Sequence, residues 1–303
     1  MVPSALRWRP APRFLMFFAM RPVLIPLAER LGRYALRRRG VQTRWMPTAL
    51  GRVHVYDAPG KGPLPTTVLL HGISSSATPF GPVLARLRRH VRRVVAPDYP
   101  GHGFTPAPSE TLTPEALLDA MTRVLDDLLD EPAIVVGNSL GGALALHYAI
   151  ARPDRVRALV LVSPAGAPST AAEWSALKGA FDFDSRAGGL EFLARVYHRT
   201  PLIARLVAHE LSASIGRQVV RDLLAGASNE HAPTPEALAA LPMPVLLVWG
   251  RSERLLPESH LDYYARHLPG RTVVERPEGF GHCAHVDQPG RVAERIVSFA
   301  RGV

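Results

Sequence analysis

From about residue 53 onward the chain alternates short apolar runs with longer amphipathic stretches. Thr67–Leu70, Arg93–Ala96, Ala133–Val136, Arg157–Val162, Val245–Trp249 and Thr272–Glu275 are short and rich in Val, Leu and Ile. Short runs of this kind, bounded by turn residues, read as buried strands. Between them, Phe80–His90, Pro114–Leu129, Ser139–Ala151, Ser259–His267 and Pro289–Ala300 carry helix-favouring composition. The alternation predicts an α/β fold: a mostly parallel central sheet with helices on both faces. It breaks after Val162, where Ser163-Pro164-Ala165-Gly166-Ala167-Pro168 is turn-rich. The next seventy residues look helical throughout, as in Ala171–Phe181, Leu190–Tyr197, Leu202–Leu211 and Gly216–Leu224. A helical insertion over 167–240 is therefore expected, dividing a core of 46–166 and 241–303.

One turn carries chemistry. Gly137-Asn138-Ser139-Leu140-Gly141 fits G-x-S-x-G, with the strand-like Ala133–Val136 before it and a Leu- and Ala-rich helix after it. That order lifts a serine onto a sharp strand-to-helix turn, where side chains larger than glycine at 137 and 141 would clash. The bare pattern arises readily by chance, and its flanking elements set this instance apart. A serine hydroxyl needs a base to become nucleophilic. The C-terminal third offers Glu253, in the loop after Val245–Trp249, and His282, after Thr272–Glu275. Both lie at the carboxyl edge of the expected sheet, as Ser139 does.

These motifs together resemble the α/β-hydrolase superfamily, in its lid-bearing esterase, lipase and C–C hydrolase branch. The resemblance spans roughly residues 50–303. Its carriers are Leu70-His71-Gly72, Asp98-Tyr99-Pro100-Gly101-His102-Gly103, the serine turn, the Gly250 to Pro257 loop and Gly281-His282. It implies Ser139 as nucleophile, His282 as base and Glu253 as the acid, which departs from the family's usual Asp by one methylene. It implies an oxyanion hole from the backbone N–H groups of Leu140 and Ile73, with Ser74 as the neighbouring alternative. The insertion would then be a lid, with Trp174, Leu177, Phe181, Phe183, Phe192, Tyr197 and Leu206 facing substrate or packing it onto the body. His71 is a further pocket candidate, with structural hydrogen bonding as its other reading, shared with His102.

Composition narrows the rest. At 303 residues and 47% hydrophobic, the chain can bury one α/β core with an insertion. The single cysteine, Cys283, excludes an internal disulfide and reads as a buried thiol. His282 and His285 form a His-x-x-His pair with Asp287 close by, but no third ligand or Glu general base stands at zinc-site spacing, so neither metal nor cofactor is expected. The net charge of +10 is not spread along the chain. Residues 1–40 hold nine arginines against one acid, a net +8. The remainder is near neutral, which excludes a nucleic-acid-binding body. Residues 1–45 read as a basic amphipathic extension, with Phe14-Leu15-Met16-Phe17-Phe18-Ala19-Met20 followed by the stripe Leu27, Leu31, Tyr34 and Ala35. The apolar run is too short to span a bilayer. Three readings stay open: an interfacial anchor at an anionic membrane, a stripe packed on the body, and an export signal. The first would place the protein in the cytoplasm, in peripheral contact with the inner membrane face, with an extension separable from catalysis.

The sequence thus points to a serine hydrolase acting on a small-molecule ester or lipid-like substrate through an acyl-enzyme. Two alternatives remain: a C–C bond hydrolase of the ring-cleavage-product type, and a non-catalytic ligand receptor on the same scaffold. Ile73-Ser74-Ser75-Ser76 departs from the Gly-Pro-Gly usual in the C–C hydrolases. Epoxide hydrolases and haloalkane dehalogenases need Asp where Ser139 stands.

Overall fold

The computed structural model describes residues 22–303. The Phe-rich run at 14–20 lies outside the described residues. Among these, eight strands form one sheet in the order β1-β2-β4-β3-β5-β6-β7-β8. They are β1 (Gln42–Thr48), β2 (Gly51–Pro59), β3 (Thr67–Leu70), β4 (Arg93–Pro97), β5 (Ala133–Ser139), β6 (Val156–Pro164), β7 (Val245–Val248) and β8 (Val273–Glu275). β1 pairs antiparallel with β2, and β2 with β4; the other neighbours are parallel. The sheet begins at Gln42, so the expected boundary at residue 46 cuts through its first strand.

Period-two alternation explains the apolar runs. In β5, Ala133 and Val135 face one core while Ile134 and Val136 face the other. β7 divides in the same way, Val245 and Leu247 against Leu246 and Val248. Both faces of the central strands are buried, so no polar alternation survives there. One face is covered by α3 (Pro114–Leu128), α4 (Leu140–Ala151) and α11 (Glu258–His267). α1 (Leu24–Arg38), α2 (Gly81–Leu87) and α13 (Pro289–Arg301) cover the other. Thr113 caps α3 by accepting from the Ala116 N–H at 3.2 Å.

All of the helices between β6 and β7 belong to the expected insertion: α5 (Ala171–Ala180), α6 (Arg186–Val196), α7 (Leu202–Leu206), α8 (Leu211–Ile215), α9 (Gln218–Gly226) and α10 (Pro235–Ala239). The single helix expected over Leu202–Leu211 is two, broken around a 3-10 turn at Ala208–Glu210. The break has a use. Glu210 turns inward, and its carboxylate accepts from the backbone N–H groups of Val23, Leu24 and Ile25 at 2.8–2.9 Å. It thereby satisfies the orphan donors at the start of α1.

α1 docks on the body, but not through the expected stripe. Leu27, Leu31 and Tyr34 are exposed. The inward face carries Leu36, which is buried, and Gly32, where a Cβ would stand 2.5 Å from Thr78 Cγ2. Arg33 lies over the Phe104 ring at 3.9 Å. Among the described residues no helix is long and apolar enough to cross a membrane.

Candidate active site

Ser139 ends β5 and precedes α4, with φ of 56° and ψ of −121°. A non-glycine residue held there stores strain and turns its side chain up from the strand end. The turn closes tightly around it. A Cβ on Gly141 would lie 2.2 Å from the Leu70 carbonyl oxygen, and one on Gly137 2.1 Å from that of Gly141. The glycines of the motif are therefore fixed by backbone approach. Leu140 is the first residue of α4, so its N–H has no partner within the helix. Ile73 follows Gly72 above the end of β3, and both Ile73 and Ser139 line the same two cavities. Ser74 sits at φ 59°, another strained residue in this loop.

Glu253 and His282 meet although 29 residues separate them. The His282 Nδ1–H donates to Glu253 Oε2 at 2.9 Å, and both side chains are buried. The other oxygen, Oε1, accepts from the Leu255 and Leu256 N–H groups at 2.8 and 3.0 Å. Burial pushes the Glu253 carboxyl up. The His282 imidazole and these hydrogen bonds outweigh it, leaving the group below its ordinary value. His282 and Ser139 line one chamber of about 120 Å³. Two other acids near this loop, Glu258 and Asp287, are engaged elsewhere. Glu258 pairs with Arg276 at 2.7 Å on the surface. Asp287 is half-buried. It accepts from the His198 N–H at 3.0 Å and the Gly281 N–H at 2.8 Å, tying the insertion to the His282 loop.

Asn138 escaped the sequence reading. Its Nδ2 donates to the Val162 carbonyl at 3.0 Å and to that of His282 at 2.8 Å. It pins the His282 backbone to the strand that carries Ser139. Only its place inside the serine turn could have flagged it.

Trp174, Phe181 and Phe192 all line cavities at Ser139. Phe181 stands between two of them, the chamber already described and a second cavity of about 140 Å³. The second runs along α4, from Leu140 through Ala143 and Leu144 to His147. His71 lines neither, which corrects its place among pocket candidates. It is fully buried, stacked on Tyr99 at 3.9 Å, and its Nδ1–H donates to the Gly72 carbonyl at 2.8 Å. Burial lowers its pKa to about 4. It supports the loop from beneath. Leu206 also falls outside the pocket, 64% exposed on α7.

Asp98 accounts for the second motif. It is fully buried and accepts from the Ala77 N–H at 2.8 Å, the Phe104 N–H at 3.0 Å and His54 Nδ1–H at 2.9 Å. These bonds bind the loops after β3 and β4 to β2. Gly103 leaves room for it, since a Cβ there would fall 2.3 Å from the carboxylate.

A strained serine at a strand-to-helix turn, at the carboxyl edge of a mostly parallel sheet, defines a serine hydrolase of the α/β-hydrolase fold. Comparison with known proteins agrees. The alpha/beta hydrolase family model matches residues 67–295, and the chain belongs to that family. It is 30% identical to a 2-hydroxymuconate semialdehyde hydrolase of Pseudomonas putida over 249 residues, covering 77% of this chain and 85% of that one. Over 115 residues it is 40% identical to the lipase LipV of Mycobacterium tuberculosis, which is 37% of this chain and 42% of the lipase. The carboxylesterase CesB of Bacillus subtilis superposes with a TM-score of 0.73 at 22% identity, covering 93% of this chain and 100% of that one.

Proposed function

We propose that the protein hydrolyses carboxylic esters through an acyl-enzyme, with Ser139, His282 and Glu253 as its triad and the α5–α10 insertion as its lid. The observation that carries this reading is the buried Glu253 carboxylate on His282 Nδ1 at 2.9 Å, beside the chamber that holds Ser139. With Nδ1–H committed to Glu253, Nε2 is the nitrogen left to take the serine proton. Ser139 Oγ attacks the ester carbonyl carbon as His282 accepts that proton. The tetrahedral oxyanion receives N–H groups from Ile73 and Leu140. His282 then delivers the proton to the departing alkoxide, which leaves as the alcohol. A water, deprotonated by the same imidazole, attacks the acyl-enzyme and frees the acid and the serine. The ionised Glu253 stabilises the imidazolium at each stage.

The cavity along α4 suits the acyl chain. Its lining is dominated by leucines, with His147, His231 and His260 among them, and from Leu140 to His147 it runs roughly 10 Å at the helical rise. We expect acyl groups of medium length to be favoured over acetyl. The 30% identical relative gives the C–C hydrolase reading its support. A ring-cleavage product carries a carboxylate, however, and neither cavity at Ser139 is lined by an arginine or lysine. The basic N-terminal segment is read as meeting an anionic membrane at the cytoplasmic face.

A fluorophosphonate probe together with nitrophenyl esters of rising chain length tests the proposal. Covalent labelling of Ser139 and turnover that peaks at intermediate acyl length are expected. Labelling without turnover of any ester would favour the C–C reading. No labelling at all would favour a receptor.

A further inference from the structure

The chamber at Ser139 opens outward. It shares Ser74, Ser75, Leu193, Tyr197, Leu211 and Ser214 with an outer cleft of about 500 Å³. One wall of that cleft is α1, through Ile25, Pro26, Glu29 and Arg30. The other is the insertion, through Ala204 and Val207 of the α7 segment and residues of α8. This approach is therefore shared between the N-terminal helix and the insertion. Glu210 ties the two walls together by holding the start of α1.

Both lips are apolar where they face solvent. Beside the cleft-lining Ile25 and Pro26, the residues Val23, Leu24 and Leu27 are exposed. Beside Ala204 and Val207, Leu202 is 78% and Ile203 71% exposed, with Leu206 alongside. The α1 lip continues through Leu31 and Tyr34 at helical spacing. Leucines and isoleucines gathered like this on two adjoining elements mark a surface that meets another apolar phase.

Charge identifies that phase. Arg30, Arg37 and Arg38 are exposed on α1, and Arg205 on α7. The two acids of these walls are turned inward: Glu29 accepts from the Ser76 hydroxyl and Glu210 from the α1 backbone. The rim thus presents cations around leucines, which complements an anionic lipid surface.

We propose that α1 and α7 form the two lips of one bilayer-docking surface, and that the cleft between them passes a lipid-soluble ester from an anionic bilayer to Ser139. Docking stands on the surface alone. The delivery step rests on the ester-hydrolase reading above.

The test uses the full chain with L202D/I203D on α7 and, separately, L27D/L31D on α1, none of which lines the cleft. Co-sedimentation is measured on vesicles of phosphatidylcholine with and without phosphatidylglycerol. Hydrolysis is measured on a soluble short-chain nitrophenyl ester and on a long-chain ester dissolved in the same vesicles. Each variant should lose roughly tenfold or more in binding to the anionic vesicles and in hydrolysis of the embedded ester. Turnover of the soluble ester should stay within about twofold. If a pair fails to fold, Ile203→Cys carrying an environment-sensitive dye should blue-shift on anionic vesicles. The half-buried Cys283, whose thiol pKa is raised by desolvation, would compete poorly for the label. Unchanged vesicle binding in both pairs, or no dye shift, overturns the proposal. So does a dimer in sedimentation that either pair dissociates, because the lips would then belong to a second copy. Failure of the wild type to cleave the soluble ester while still binding vesicles would sink the hydrolase reading and leave docking standing.

Discussion

Glu29 of α1 accepts a hydrogen bond from the Ser76 hydroxyl at 2.6 Å, so the sole acid of the basic N-terminal segment holds the loop that also carries Ile73. We therefore expect the segment not to be separable from catalysis, contrary to what its composition suggests. Deleting residues 1–40 would remove this bond, the buried Leu36 and the helix that Glu210 caps. We expect that truncation to lose ester turnover and melt lower. Deleting 1–21 alone would keep α1 and should preserve turnover of a soluble ester. Equal activity in both truncations would show that α1 does not support the site.

The charge on Glu29 has its own sign. Burial raises its pKa, and hydrogen bonds from Ser76 and Thr78 pull it only part of the way back. A carboxyl raised in the folded state stabilises the fold fully below its unfolded value of 4.5, and that contribution is lost as pH rises through the folded value. Glu29→Gln keeps an acceptor for Ser76 without the charge. It should melt at or above the wild type at pH 7, and the difference should shrink toward acid pH. Glu29→Ala strands the hydroxyl and should cost about 1–2 kcal/mol. Its kcat should fall while Glu29→Gln retains it. Thermal melts across pH, read beside kcat, separate the two variants.

Removing nucleophile or base should abolish turnover. Ser139→Ala and His282→Ala are each expected to lower kcat by several orders of magnitude, and the double variant should be little worse than either, since the two act as a unit. Circular dichroism should show the fold retained, because neither side chain holds the core together. Near-normal hydrolysis by Ser139→Ala would refute the mechanism.

What was legible in the chain followed mostly from burial. β3 to β7 declared themselves because both faces are covered and their runs are continuously apolar; β8 was also legible although it is exposed at the far edge, and the buried β2 was missed because His54 and Asp57 interrupt its apolar run. β1 was missed as well: at the sheet edge it is half-exposed, it contains Pro47, and edge strands tolerate both. α1 was visible as amphipathic, yet its apolar stripe faces outward and it docks through Glu29, Gly32 and Leu36. The serine, histidine and acid positions were readable because each follows a strand with its own turn chemistry. Asn138, Glu210 and Asp287 were not, since each does its work on backbone groups that only the folded chain brings near, 144 residues away for Asn138 and His282.

Asn138 gives that last point a measurement. Asn138→Ala would free the His282 carbonyl and the Val162 carbonyl, both buried, at a stability cost of about 1–3 kcal/mol. It should also lower kcat with little change in KM, because the His282 backbone loses its tether to the serine turn. A drop in melting temperature with kcat untouched would assign Asn138 to structure alone.

Glu253 is the position where this chain departs from its family's usual Asp, and its environment says what substitution should do. Its pKa is lowered: burial pushes it up, and the His282 imidazole and hydrogen bonds such as that from the Leu256 N–H outweigh that push. A depressed carboxyl contributes stability that is present above its unfolded value of 4.5 and is lost as pH falls through the folded value. Glu253→Gln should therefore melt lower than the wild type at pH 7, and the two should converge in acid. The same variant should lose most of its kcat, since an amide can present its NH₂ to Nδ1 and favour the wrong imidazole tautomer. Glu253→Asp withdraws the carboxylate by one methylene from a 2.9 Å contact. It should keep partial activity if the Gly250 to Pro257 loop can follow. Asp287→Asn and Glu258→Gln serve as controls. The first retains an acceptor for the His198 and Gly281 N–H groups, and the second breaks only a surface pair with Arg276. Both should stay within about threefold of wild-type kcat. Collapse of either control beside an active Glu253→Gln would move the acid to that residue and refute the assignment made here.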